Sequence, residues 1–233
     1  MTTPPSAMLA PHLVAIHGIR TRITSASWPK RFLPYAEEQL GCTTEAHYYE
    51  AGPIPPWNLW VTNPKVARGL AASIEARMQR GLRPVHIVAH SNGTNIAVAL
   101  ARRLETIGIR VHTLIVIGSA LHADVGKSGL RELMLSGQVR RAIAYSSPDD
   151  RVIRRLEDIP GFYGSLGARG FERWGDSYGL RVREYQPIAP VGFSIEGSQK
   201  FVTRWFPDFG HGEYFEPEHE TATYTCIVRD LGV

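Results

Sequence analysis

The chain has 233 residues, 43% hydrophobic and 21% charged, the size and balance of a soluble domain that buries a substantial core, and a single domain over 1–233 is expected. No uninterrupted apolar run reaches the roughly 18 residues of a membrane span, so none is expected. The formal net charge of +4 comes from arginines that are scattered apart from short clusters such as Arg151, Arg154 and Arg155, which reads as a solvated basic face rather than a nucleic-acid site.

The opening MTTPPSAMLAPH has neither a basic start nor a long apolar stretch, so a cytoplasmic location is expected, with Cys42 and Cys226 reduced. Whether these two cysteines meet is open, and they show no metal-binding spacing. His12 to His17 (HLVAIH) reads as a buried strand of a parallel sheet. Ser27, Pro29 and Gly41 mark the cap, first turn and end of a helix over Trp28 to Leu40. A strand near Glu45 to Tyr49 follows, then AGPIPPWNLW, whose prolines predict a non-helical loop. Pro64 opens a second helix running to about Arg80, and Val85 to Ala89 is a second buried strand. A helix starts at Ser91 or just after it, Val111 to Ile117 and Ala142 to Ser146 are further strands, and Phe201 to Phe206 is a last one. Strands alternating with helices predict an α/β fold with a mostly parallel sheet and functional groups at the carboxyl ends of the strands. Glu157 to Ser198 gives no clear pattern beyond four glycines three apart in GFYGSLGARG and is expected to be a mobile loop.

Chemistry concentrates in VHIVAHSNGTN, where a buried strand runs into Ser91 and a helix starts behind it. The pattern Ala89-His90-Ser91-Asn92-Gly93 resembles the nucleophile elbow of the α/β-hydrolase superfamily of serine esterases and lipases. That turn is sharp, so small residues must flank the serine; here alanine stands where the first glycine usually does. The resemblance implies an α/β-hydrolase fold and a Ser-acid-His order along the chain. Serine needs a base within hydrogen-bond reach, and His211, between Gly210 and Gly212 after the last predicted strand, falls where the family carries its catalytic histidine. His90 is the main competitor, read with His86 as a packing or supporting group. The acid belongs after the strand ending at Ser146; Asp150 suits the family pattern better than Asp149, although either aspartate also suits the turn.

Two backbone amides should form the oxyanion hole: Asn92, directly after the nucleophile, and Ile19, in His17-Gly18-Ile19-Arg20, which resembles the family's oxyanion loop. His17 is read as a structural hydrogen-bonder. The interval from Ser119 to Ala142 is too short for a large lid, so any cover should come from 157–198 or from the Trp57 and Trp60 loop. Those tryptophans, with Trp28, Phe162, Tyr163 and Trp174, are candidates for an apolar acyl or alcohol pocket. No HExxH, P-loop or dinucleotide motif occurs, so neither metal nor cofactor is expected. The leading expectation is cleavage of a small-molecule carboxylic ester by an acyl-enzyme route. Thioester, amide or lipid-acyl hydrolysis with the same triad stays open, as does a noncatalytic binding protein that kept the fold.

Overall fold

The apolar run HLVAI forms β1 (His12–Ile16), and all five of its residues are buried, as a strand covered on both faces by helices requires. The computed structural model describes residues 10–19, 27–50, 57–78, 84–156, 163–171, 184–188, 191–197 and 201–232. Among them β1 joins β2 (Thr43–His47), β3 (Val85–His90), β4 (Val111–Ile117), β5 (Val139–Ser146), β6 (Glu184–Ile188), β7 (Val191–Gly197) and β8 (Phe201–Trp205) in one sheet of order β2-β1-β3-β4-β5-β8-β7-β6. The first six strands in that order are parallel, whereas β7 runs antiparallel to both β8 and β6. Registers such as Ile16 with Ala89, His90 with Ile117 and Ser146 with Trp205 bring the carboxyl ends of β1, β3, β4, β5 and β8 to one edge.

Helices cover both faces. α1 (Trp28–Leu40) turns Trp28, Phe32, Leu33 and Ala36 inward; Pro29 sits in its first turn and Gly41 ends it in the left-handed region at φ 58°. Ser27 precedes it without capping it, its hydroxyl lying 3.2 Å from Tyr48 Oη instead. α2 (Asn63–Met78) and α3 (Gly93–Thr106) bury Leu70, Ile74, Ile96 and Leu100 with Val14, Ile87 and Val116 of the sheet. On the opposite face α1 and α8 (Pro217–Leu231) pack on Leu13, Ala15, Val88 and Ile115; each of the leucine, valine and isoleucine side chains removed from water contributes about 1.5–3 kcal/mol. The short helices α4 (Val125–Ser128), α5 (Leu130–Leu135), α6 (Arg151–Leu156) and α7 (Leu166–Arg169) lie between the later strands. A buried ion pair ties β8 to α8: Arg204 donates to both carboxylate oxygens of Asp230, which also accepts from the Tyr145 hydroxyl at 2.7 Å.

Three expectations are corrected. The strand placed at Glu45 to Tyr49 starts two residues earlier, at Thr43. The segment expected to be non-helical is helical from Trp57 onward: Asn58–Thr62 forms a wide turn closed by the Asn63 N–H on the Asn58 carbonyl, and Pro64, which has no N–H to place, follows it into α2. Residues 51–56 of that segment lie outside the described residues. The stretch expected as a mobile loop contains α7, β6 and β7. Two of its glycines are contact points: a Cβ on Gly167 would lie 2.4 Å from the Ser119 amide nitrogen, and one on Gly164 would lie 2.2 Å from His122 Cα.

Candidate active site

Ser91 follows β3 directly, in a turn with φ 55°, a conformation that costs a non-glycine residue about 1–3 kcal/mol and persists only where its surroundings fix it. Here they do. Its N–H donates to the Ile117 carbonyl at 3.0 Å, and its own carbonyl accepts from the N–H and hydroxyl of Thr94 at 3.1 and 2.6 Å. The turn also brings backbones together. A Cβ on Gly93 would meet the His17 carbonyl oxygen at 2.5 Å, and one on Gly18 would meet Ser91 Cβ at 2.6 Å, so both positions exclude a side chain.

His211 arrives on the loop after β8. Its Nε2 lies 2.9 Å from Ser91 Oγ and its Nδ1 lies 2.8 Å from Asp150 Oδ2. A carboxylate can only accept, so Nδ1 carries the proton and Nε2 presents its lone pair to the serine hydroxyl. Asp150 is fully buried, and its other oxygen accepts the Ile153 N–H at 2.9 Å in the first turn of α6. Asp149 is exposed, with its N–H on the Ser147 hydroxyl. Thus the structure brings Ser91, His211 and Asp150 together and leaves Asp149 outside.

The neighbouring imidazoles are committed elsewhere. His90 donates from Nε2 to the backbone carbonyl of His211 at 2.9 Å, lies tilted against that ring with centroids 4.8 Å apart and meets Phe215 edge-on at 5.2 Å. Burial drives its pKa down to about 3, so the ring is neutral and holds the loop that carries His211. His17 accepts the Tyr49 N–H at Nε2 at 3.1 Å and therefore donates from Nδ1 to the Gly18 carbonyl; burial lowers its pKa also.

Asn92 stands at the N-terminus of α3, where the first amides lack an intrahelical acceptor, and Ile19 follows Gly18 on the loop after β1. Ile19 packs with Leu59 and Leu156 against Ala120, Ile153, Tyr163 and Ala168, an apolar cluster at the same edge of the sheet. Among the aromatic pocket candidates, Trp28 is core, stacked on Phe215 at 4.5 Å, whereas Trp57 and Trp60 are exposed. Arg20, Phe162 and Trp174 lie outside the described residues. Sequence reasoning missed Gly118: at φ 48° after β4, its missing Cβ would lie 3.2 Å from His211 Nδ1 and 3.3 Å from Asp150 Oδ2, so it makes room for that pair. A glycine straight after an apolar strand was its signal. Tyr49 and Asn63, which hold the Asn92 side chain, gave none.

No protein-family model matches the chain, and no curated protein matches it. Solved structures do. A protein from Xanthomonas campestris pv. campestris assigned to the α/β-hydrolase superfamily is 14% identical, with 95% of this chain and 98% of that one covered at a TM-score of 0.53. A hyperthermophilic esterase from the archaeon Pyrobaculum calidifontis is 14% identical, with 98% and 76% covered at 0.56. Esterase LipW from Mycobacterium marinum is 14% identical, with 96% and 73% covered at 0.54. The fold is that of the α/β-hydrolases, with a six-strand parallel central sheet flanked by helices.

Proposed function

We propose that the chain is a serine hydrolase that cleaves small-molecule carboxylic esters through an acyl-enzyme, with Ser91 as nucleophile, His211 as general base and Asp150 as the acid that orients it. The observation that carries this reading is the continuous relay from Asp150 Oδ2 to His211 Nδ1 at 2.8 Å and from His211 Nε2 to Ser91 Oγ at 2.9 Å, on a serine held in a strained turn. Ser91 Oγ attacks the ester carbonyl carbon as His211 Nε2 takes its proton. The oxyanion that forms is held by the amides of Ile19 and Asn92. Collapse breaks the bond to the alcohol oxygen, which leaves with the proton from His211. Water then attacks the acyl-Ser91, giving its proton to His211, and the acid departs as Oγ recovers a proton. Asp150 stays ionised and stabilises the imidazolium in both halves. The esterases among the structural neighbours favour an ester over other acyl substrates.

The test is hydrolysis of p-nitrophenyl esters, short acyl to long, by the wild-type chain and by Ser91→Ala. Wild-type turnover that falls to background in the variant supports the reading. Equal rates in the two chains would refute it.

A further inference from the structure

The Asn92 side chain is buried and its polar atoms are engaged across two segments. Asn92 and Asn63 exchange reciprocal amide hydrogen bonds, Asn63 Nδ2 to Asn92 Oδ1 and Asn92 Nδ2 to Asn63 Oδ1, each 3.1 Å. Asn92 Nδ2 has a second proton, which it donates to the Tyr49 hydroxyl at 2.9 Å. Tyr49 in turn gives its backbone N–H to His17 Nε2 at 3.1 Å and stacks its ring on the His17 imidazole at 4.8 Å. His17 Nδ1–H closes on the Gly18 carbonyl, one residue before Ile19. One polar chain therefore runs Asn63, Asn92, Tyr49, His17, Gly18. It links the residue after the nucleophile to the loop after β1, the two places from which the oxyanion would be bound.

We infer that Tyr49 is a positioning residue that couples the two oxyanion amides, holding Asn92 through its hydroxyl and the Gly18-Ile19 loop through its backbone and ring on His17; this rests on the triad reading above. The geometry favours such a role over simple packing. The Tyr49 hydroxyl reaches Asn92 while its backbone N–H reaches His17, so this one half-buried residue ties the elbow to the loop after β1. Each amide must sit near 3 Å from the position that the oxyanion reaches only in the transition state, so a fixed spacing between the loops acts on kcat rather than on substrate binding. The His17 link holds only while that ring is neutral, because an Nε2 proton would oppose the Tyr49 N–H.

Tyr49→Phe removes the hydroxyl and keeps the ring and the backbone N–H. Rates should be expressed per Ser91 titrated with a fluorophosphonate, so that a smaller folded fraction does not count as lost catalysis. The variant should lose about tenfold in kcat on a p-nitrophenyl ester with KM unchanged, and its pH profile should keep its midpoint because His211 and Asp150 are untouched. Affinity for a boronic acid, which forms a tetrahedral adduct on the serine, should fall by the same factor. Asn63→Ala should give a similar loss, and the double variant should lose less than the product of the two, since both act through Asn92. A Tyr49→Phe enzyme with wild-type kcat, or one altered in KM alone, overturns the inference while leaving the triad reading intact. A Ser91→Ala chain as active as the wild type overturns both.

Discussion

Gly18→Ala tests the close approach on which the oxyanion loop depends. The new methyl would fall 2.6 Å from Ser91 Cβ, 3.2 Å from Ser91 Oγ and 3.3 Å from His90 Nδ1. Carbon atoms in contact sit at about 3.5–4.0 Å, so the loop and the elbow must separate by about 1 Å. The elbow is pinned by the Ser91 N–H on Ile117 and by Thr94 on the Ser91 carbonyl, so the loop yields and carries the Ile19 amide away from the reacting centre. Loss of one oxyanion donor costs about 10²–10³ in kcat, or about 3–4 kcal/mol of transition-state stabilisation. Gly69→Ala is the matched control, since its Cβ would meet nothing within 4 Å and it lies inside α2, where alanine is favoured. Steady-state kinetics per titrated serine, with a thermal melt for each variant, should show Gly18→Ala folded and slowed at least a hundredfold and Gly69→Ala unchanged. A folded Gly18→Ala enzyme within threefold of wild-type kcat would refute the reasoning.

Asp150→Asn keeps the acceptor for the Ile153 N–H but cannot fix the Nδ1–H tautomer of His211, so kcat should fall by about 10³–10⁴ with little change in the melting temperature; a loss below tenfold would remove Asp150 from its assigned role. Asp230→Ala removes the buried carboxylate to which both Arg204 and Tyr145 donate and should destabilise by about 3–5 kcal/mol, lowering Tm by about 10 °C, with turnover per titrated serine unchanged. Burial depresses the pKa of His90 to about 3 and of His86 to about 4, so between pH 6.5 and about 4 the unfolded chain binds these protons and the native one does not. Stability is then full above pH 6.5 and falls by about 1.4 kcal/mol per pH unit for each of these two rings as the pH drops, with His17, His47 and His112, which burial also lowers, adding to the slope; urea unfolding at several pH values should show the fall, and His90→Phe should reduce the slope by about 1.4 kcal/mol per pH unit.

What the sequence makes legible is what depends on local rules. Val111–Ile117 reads as a buried strand because both faces of a parallel sheet demand apolar residues, and α1 reads to its ends because Pro29 and Gly41 suit only a first turn and a left-handed stop. Ser91 stands out because a sharp turn between a strand and a helix demands small residues two positions to either side, here Ala89 and Gly93. The β6–β7 hairpin carries no such periodicity, and the wide turn at Asn58–Thr62 hides behind prolines and tryptophans that suggest a loop. Contacts between distant polar groups leave no local trace at all. Asn92 stands out in sequence through its backbone amide, but its side-chain bonds to Asn63 and Tyr49 do not, because nothing within a few residues of any of the three requires the other two.

Three imidazoles, His17, His90 and His211, gather around Ser91, and their protonation must differ for the relay to work. In the proposed mechanism, taking the serine proton turns His211 into a cation whose ring centre is 4.8 Å from that of His90. Were His90 also charged, an effective permittivity of about 20 gives a repulsion of about 3.5 kcal/mol, enough to slow formation of the imidazolium roughly 350-fold. Burial keeps His90 neutral, and its Nε2–H is spent on the His211 carbonyl, so the ring steadies the base without opposing its charge. His17 is likewise buried and neutral, with both nitrogens engaged by Tyr49 and Gly18. The negative charge of Asp150 is then the one that faces the imidazolium, and the strain stored at Ser91 is set against a cluster that can accept a proton at a single place.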